Sequence, residues 1–316
     1  MMNPSDTPRI VVVGSANMDL ISRVPRLPRL GETLHGHSFH LVYGGKGANQ
    51  AVMAARLGAH VTMVCRVGKD VFGEGMVHNF QSNGIQTAYV TVDDHHSSGV
   101  APIFVDDNAD NVIVIIAGAN GALTPADVEA ARQTITAANA VVCQLEVPLA
   151  ATLAAFRIAK DCGVMTILNP APAADLSPEL LRLTDIFAPN EIESEMLSGM
   201  SVTSLEEAEA AAHCLLAKGM RAVVMTLGER GALYVDRDQV FHAPACKVKA
   251  VDPTGAGDAF IGALAVYLSE GVPLNTALSR ANAAAALSVM RIGAQASFPT
   301  RDEVGAFLGA QSNPLA

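Results

Sequence analysis

Tryptophan is absent from the 316-residue sequence and tyrosine occurs only four times, which leaves few aromatic rings to grip a nucleobase. Cysteine is scarce and poorly placed for bridging. Cys65, Cys143, Cys162, Cys214 and Cys246 are odd in number, far apart and free of any C-x-x-C. Several fall in apolar, strand-like runs, where cysteine behaves as a small buried hydrophobe. The expectation is a reduced, cytoplasmic protein rather than a disulfide framework. No basic run of five or more residues occurs, and the formal charge of −10 is evenly sprinkled. That argues against nucleic acid and anionic membranes as partners. No apolar stretch approaches the ~18 residues of a membrane span. Met1 to Arg9 is polar, and the apolar run Ile10–Val13 after it is too short for a signal segment. Two phosphate fingerprints are missing as well. Gly68-Lys69 is followed by Asp70 and has Met63 where a P-loop needs glycine, and Gly255-x-Gly257 has Phe260 where a dinucleotide fold needs its third glycine.

What is present reads as a globular α/β chain, 50% hydrophobic and 16% charged. Short β-branched runs at Ile10–Val13, Val61–Cys65, Ala140–Gln144, Val164–Leu168, Ile186–Ala188 and Ala222–Thr226 are apolar on both faces, as covered strands are. Between them lie helical stretches: Ala48–Leu57, Gly73–Ser82, Thr124–Thr136, Pro148–Asp161 and Leu205–Lys218. Thr124 and Ser204 read as N-caps, and Gly58, Gly163 and Gly219 as stops. This alternation predicts a mostly parallel central sheet with helices on both faces. Two segments break the rhythm, about 19–41 and 97–116. The second reads as strands Val100–Val105 and Asn111–Ile116 around a turn at 106–110. Both are expected to form a small β-sheet attached to a single domain covering 1–316. An edge extension of the main sheet is the alternative.

The sharpest chemical signal is Asp252-Pro253-Thr254-Gly255-Ala256-Gly257-Asp258 ahead of an apolar helical run. Glycines there place N–H groups at a helix N-terminus, where an anion binds. A carboxylate beside such a turn repels phosphate, so Asp258 makes chemical sense as a base for an attacking hydroxyl. Its plain alternative is a helix cap. At the other end, Asn17 and Asp19 follow the first strand two residues apart. Gly44-Gly45-Lys46-Gly47-Ala48-Asn49-Gln50 leads into a helix, and Glu146 follows another strand. Amide, ammonium and carboxylate groups beyond strand ends suit vicinal hydroxyls. Each block alone reads equally as a turn or cap. A non-catalytic sugar-binding protein is the rival of another class.

Gly44–Ala51 and Asp252–Asp258 resemble the two signatures of the ribokinase/pfkB family of carbohydrate kinases. Gly118-Ala119-Asn120, Gln144-Leu145-Glu146, Leu168–Pro172 and Pro189-Asn190-Glu191 extend the likeness over nearly the whole chain. The resemblance implies phosphoryl transfer from ATP to O5 of D-ribose, with deoxyribose, fructose or adenosine as alternatives. It implies Asp258 as base and Gly255, Ala256 and Gly257 as anion hole. Asn17, Met18, Asp19, Gly45, Lys46, Gly47, Ala48, Asn49 and Glu146 would hold the sugar. Asn190, Thr226, Leu227, Gly228, Glu229, Arg230, Gly231 and Asn282 would hold the nucleotide, with Glu193 linked to Mg²⁺. Asp252, Thr254, Ser288, Arg291, Gly293 and Ser297 would surround K⁺. The two β-rich segments would form a lid that clasps a homodimer.

Overall fold

The computed structural model describes residues 7–108 and 110–312. Ala109 of the expected turn, and the first six residues of the polar N-terminal segment, lie outside them. The chain opens with β1 (Arg9–Val13), β2 (Asn17–Arg23), β3 (Ser38–Gly44), α1 (Lys46–Arg56), β4 (His60–Gly68), α2 (Val71–Ser82) and β5 (Gln86–Asp93). Then come β6 (Gly99–Val105), β7 (Asn111–Ile113), α3 (Pro125–Ala130), α4 (Arg132–Thr136), β8 (Ala140–Cys143), α5 (Leu149–Asp161) and β9 (Met165–Leu168). After α6 (Pro178–Arg182), β10 (Ile186–Phe187), α7 (Glu191–Ser198) and α8 (Leu205–Leu216), it continues through β11 (Ala222–Thr226), β12 (Ala232–Val235) and β13 (Val240–Ala243). It finishes with α9 (Ala256–Ser269), α10 (Leu274–Ser288) and α11 (Arg301–Ser312).

Nine strands form one sheet in the order β13-β12-β11-β10-β9-β8-β1-β4-β5. It is parallel from β5 through β11, and β12 and β13 close one edge antiparallel. Alternation along β1 explains the layering. Ile10 and Val12 face a core shared with α1, α2, α9 and α10, whereas Val11 and Val13 face one shared with α3, α5 and α8. Period-two apolar residues on both faces require helices on both sides. Helix α9 is buried along Asp258–Tyr267, as a helix apolar all round must be. It packs on both α1 and α10. Among the described residues no helix is long and apolar enough to cross a membrane.

A separate four-stranded sheet, ordered β3-β2-β6-β7, is built from the two segments that lacked helical period. It is mixed: β2 pairs antiparallel with β3 but parallel with β6. The expected strand to Ile116 stops at Ile113. The cause is Pro102 on β6, which accepts from the Val114 N–H but has no N–H to return. Pairing resumes as an isolated bridge between Val100 and Ile116. Two other expectations need correction. The stretch Thr124–Thr136 breaks at Ala131 into α3 and α4. Helix α1 starts two residues earlier than the apolar pattern suggests, so Lys46 and Gly47 belong to its first turn rather than to a loop.

Candidate active site

Most of the chemically promising residues stand beyond the carboxyl ends of parallel strands, where an open α/β sheet binds its ligands, whereas the Gly44–Gln50 and Asp252–Asp258 blocks follow the antiparallel strands β3 and β13. Asn17 and Asp19 follow β1, Gln144 and Glu146 follow β8, Asn169 follows β9, Asn190 follows β10, and Thr226 ends β11. Gly45 delivers α1 to this edge with φ at 86°, and a Cβ there would lie 2.7 Å from the Asn17 backbone nitrogen. Only glycine fits. The Glu146 carboxylate accepts from the Lys46 N–H at 3.0 Å and from the Ser15 hydroxyl, tying α1 to the ends of β8 and β1.

Asn17 is oriented from behind. The Asn120 Nδ2 donates to its Oδ1 at 2.7 Å and to the Ala16 carbonyl, while the Ala16 N–H donates back to Asn120 Oδ1. The Asn17 amide nitrogen is thereby left to serve as a donor. Asp19 feels burial first, then the Glu146 and Asp258 carboxylates, and its pKa is pushed up to about 7. Burial works against the Lys46 ammonium, but Asp258, Glu146 and Glu193 together hold its pKa above the ordinary lysine value. Glu193 is raised by burial, an effect only partly offset by the Asn190 backbone N–H and by Lys46. It is also the third residue of a capping box on α7, accepting from the Asn190 N–H and from Asn190 Nδ2.

Asp258 sits in the first turn of α9, 7% exposed. Each of its oxygens accepts an amide proton at 2.9 Å, Oδ2 from Asn49 and Oδ1 from Gln50. At the start of α9, Gly255 has φ at 79°, and a Cβ on it would sit 2.8 Å from the Ala294 methyl. The Ala256 N–H turns back to the Pro253 carbonyl at 3.2 Å. Among the described residues, the N–H groups of Gly257 and Asp258 have no protein acceptor, so they present an anion site.

Two adjoining cavities meet at this turn. The smaller, about 170 Å³, is lined by Lys46, Asn169, Asn190, Glu193, Gly255–Asp258 and their neighbours. The larger, about 710 Å³, is mostly apolar and includes Gly228, Glu229, Gly231, Asn282 and Val289. Asn190, Thr226, Pro253, Ala256 and Gly257 line both. Asn282 is anchored by its Nδ2 to the Ala243 and Pro244 carbonyls. Leu227 is buried beneath the larger cavity, and Arg230 is drawn aside to Glu191 and the Val202 carbonyl. Met18, Gly47 and Ala48 are buried, with Met18 and Ala48 in the apolar core, so any role of theirs at a ligand falls to backbone.

The predicted cation segments also converge. Asp252 Oδ2 accepts from the Gly293 N–H at 2.8 Å and Oδ1 from the Thr254 N–H, while the Val289 carbonyl accepts from the N–H groups of Val251 and Asp252. Burial raises the Asp252 pKa, but these bonds outweigh it and hold the carboxyl below its ordinary value. The Ser288 and Ser297 hydroxyls donate to nearby backbone carbonyls, and the Arg291 side chain pairs outward with Glu303. Sequence reasoning gave no role to Gln50, Asn120, Asn169 or Gln295. The first three lie inside the family-like runs, and Gln295 stands two residues after Gly293.

A family model described as pfkB family carbohydrate kinase matches residues 7–301. The ribokinase of Mus musculus is 45% identical over 300 residues, spanning 93% of each chain. The deoxyribokinase of Salmonella typhi is 43% identical over 300 residues, spanning 95% of this chain and 98% of that one. The solved structure of Arabidopsis thaliana ribokinase complexed with ribose and ATP superposes with a TM-score of 0.90 at 32% identity, covering 96% of this chain and 99% of that one.

The shifted carboxyl of Asp19 has a measurable consequence. Between its ordinary value of 3.8 and about 7, the folded protein keeps a proton that the unfolded chain has released. Stability therefore falls as pH rises through that window and levels off above it, by at most about 1.4 kcal/mol per pH unit from this group. Urea unfolding at pH 5, 6, 7 and 8 should show this slope in the native chain and its disappearance in Asp19→Asn.

Proposed function

The chain belongs to the pfkB family of carbohydrate kinases, and we propose that it transfers the γ-phosphoryl group of ATP to O5 of D-ribose, giving ribose 5-phosphate and ADP. The observation that carries this reading is the position of Asp258. A carboxylate held by two amides stands one residue from unpaired N–H groups at a helix N-terminus, in a polar cavity that opens into an apolar one. The apolar cavity suits adenine and ribose of the nucleotide, and the helix terminus suits its terminal phosphates. Asn17, Asp19, Lys46, Asn49 and Glu146 supply donors and acceptors for a small polyol. Asp258 takes the proton of the acceptor hydroxyl as the oxygen attacks phosphorus in line, and the N–H groups stabilise the charge on the transferring phosphoryl oxygens.

The Glu193 carboxylate borders the smaller cavity with lone pairs beyond those used by Asn190, oxygen chemistry that suits a hydrated Mg²⁺. When bound, the metal neutralises phosphate charge. Ribokinase relatives at 40–45% identity favour ribose. The Salmonella typhi deoxyribokinase favours a second reading, 2-deoxyribose. ADP release measured over D-ribose, 2-deoxyribose, fructose and adenosine decides between them. The expected order puts ribose first in kcat/KM, and a higher value for 2-deoxyribose would replace this reading with the second.

Asp258→Asn should lower kcat by roughly 10²–10⁴ while nucleotide binding survives, the range for loss of a general base. Near-normal turnover would leave Asp258 as a cap. The junction of Asp252 with Gly293 supports a proposed K⁺ site formed mainly by backbone oxygens of 252–254 and 288–297. Such a cation would brace the turn that presents the Gly257 N–H, so its effect belongs in kcat. Turnover in Tris salts should rise on adding KCl at constant ionic strength, and equal rates would dismiss the site. The small sheet exposes Phe39, Leu41 and Val112–Ile116. An apolar area of this kind is usually covered, and we assign a second copy of the chain to it. Light scattering at high concentration should give the mass of a dimer.

A further inference from the structure

We propose that Gln50 is a positioning residue for the transfer, fixing the Asp258 carboxylate as an oriented acceptor through an amide chain that begins at Gln144. The proposal rests on the reading of Asp258 as base. Gln50 is 1% exposed and borders neither cavity described above, so it does not meet substrate. Its Nε2 donates to Asp258 Oδ1 at 2.9 Å and to Asn169 Oδ1 at 3.2 Å. Its Oε1 accepts from Gln144 Nε2 at 2.6 Å. Asn169 is itself fixed, donating from Nδ2 to the Ala188 carbonyl.

The direction of this chain is forced. Turning the Gln50 amide over would set its oxygen against two acceptors, Asp258 Oδ1 and Asn169 Oδ1. Turning Asn169 over would set its Nδ2 against the Gln50 Nε2 and its oxygen against the Ala188 carbonyl. A buried polar group left facing its own kind is costly. The Ala188 carbonyl, acting through Asn169, therefore dictates that a proton donor faces the base, and Gln144, whose Oε1 is buried without a partner among the described residues, supports that arrangement from Nε2. On the opposite oxygen, Asn49 donates from Nδ2 and is held by Gln295 Nε2 through its own Oδ1 at 3.0 Å. The carboxylate is clamped from both sides, and the free lone pairs point where the clamp leaves room.

The clamp matters because the surroundings are acidic. Asp19 on β2 and Glu193 on α7 face Asp258 with negative charge, Lys46 on α1 faces it with positive charge, and Glu146 beyond β8 acts on both Asp19 and Lys46. Neutral amide donors favour the ionised carboxylate without adding a charge that would bind the phosphate in the ground state. Asn49 and Lys46 are both assigned to the sugar, so altering either would confound base and binding effects. Gln50 separates the two effects.

The test is the pH dependence of kcat. Gln50→Met keeps the side-chain length and removes the donor. Its acid limb should move up by about one pH unit, the scale of one hydrogen bond to a charged group. At pH values well below the limb kcat should fall about tenfold, above it kcat should be little changed, and KM for D-ribose and ATP should stay within about twofold. Gln144→Met, which touches neither base nor ligand, should shift the limb in the same direction by less. The double variant should match Gln50→Met, because one chain is cut twice. An unmoved acid limb in both single variants, with folding verified by thermal unfolding, overturns the proposal. So does a loss of kcat that is equal at every pH, which indicates packing alone. Asp258→Asn run alongside distinguishes the failures. If it keeps turnover, the base assignment falls and the proposal with it. If it is inactive and Gln50→Met keeps the native pH profile, only the role of Gln50 falls.

Discussion

One ammonium group among four carboxylates governs this site. Among the described residues lining the smaller cavity, Lys46 is the sole cation, and Asp258, Glu146 and Glu193 all act on it. Asp19 completes the acidic group, its pKa raised first by burial and then by the neighbouring carboxylates. The chain resolves the imbalance by geometry. Asp19 and Glu146 stand beyond β1 and β8 and Glu193 on α7, while Asp258 shares the first turn of α9 with the unpaired N–H groups. Lys46 stands between the two ends because Gly45 turns α1 into that position and Glu146 holds its backbone. Moving that ammonium by one helical turn would leave the phosphate end to the helix terminus alone and the acidic end without relief.

The sheet was legible in the sequence because its strands are apolar on both faces, and such runs have few alternatives in a chain this size. β12 and β13 went unread: they form an antiparallel edge after Gly231, and β13 carries His242 among its residues. The early start of α1 was equally hidden, since Lys46 and Gly47 spoil the apolar pattern of its first turn. Site residues at strand ends and beside glycines were legible as positions. Their mutual contacts were not. The amides that hold Asp258 come from α1, and those behind them come from just after β8, just after β9 and the loop after α10. Nothing local in Gln50, Gln144 or Gln295 distinguishes a buried link from a solvated side chain. Only the folded distances do that, and the ligand roles carried over with the family likeness rest on the motif rather than on these contacts.

The contact between α1 and α9 also sets the order of events on the ribosome. Asn49 and Asp258 are 209 residues apart in the chain, and the core above one face of β1 is completed only by α9 and α10. A chain emerging amino-end first therefore exposes β1, α1 and β4 long before their covering helices exist. The opposite face is luckier, because α3 and α5 follow sooner. Through most of its synthesis the nascent protein carries a half-dressed sheet, with one side packed and the other apolar and open. Such a surface calls for shielding by the tunnel, by chaperones or by speed. It also keeps the unfinished chain from assembling its acidic site, since no fragment lacking α9 can set Asp258 against Asn49 and Gln50.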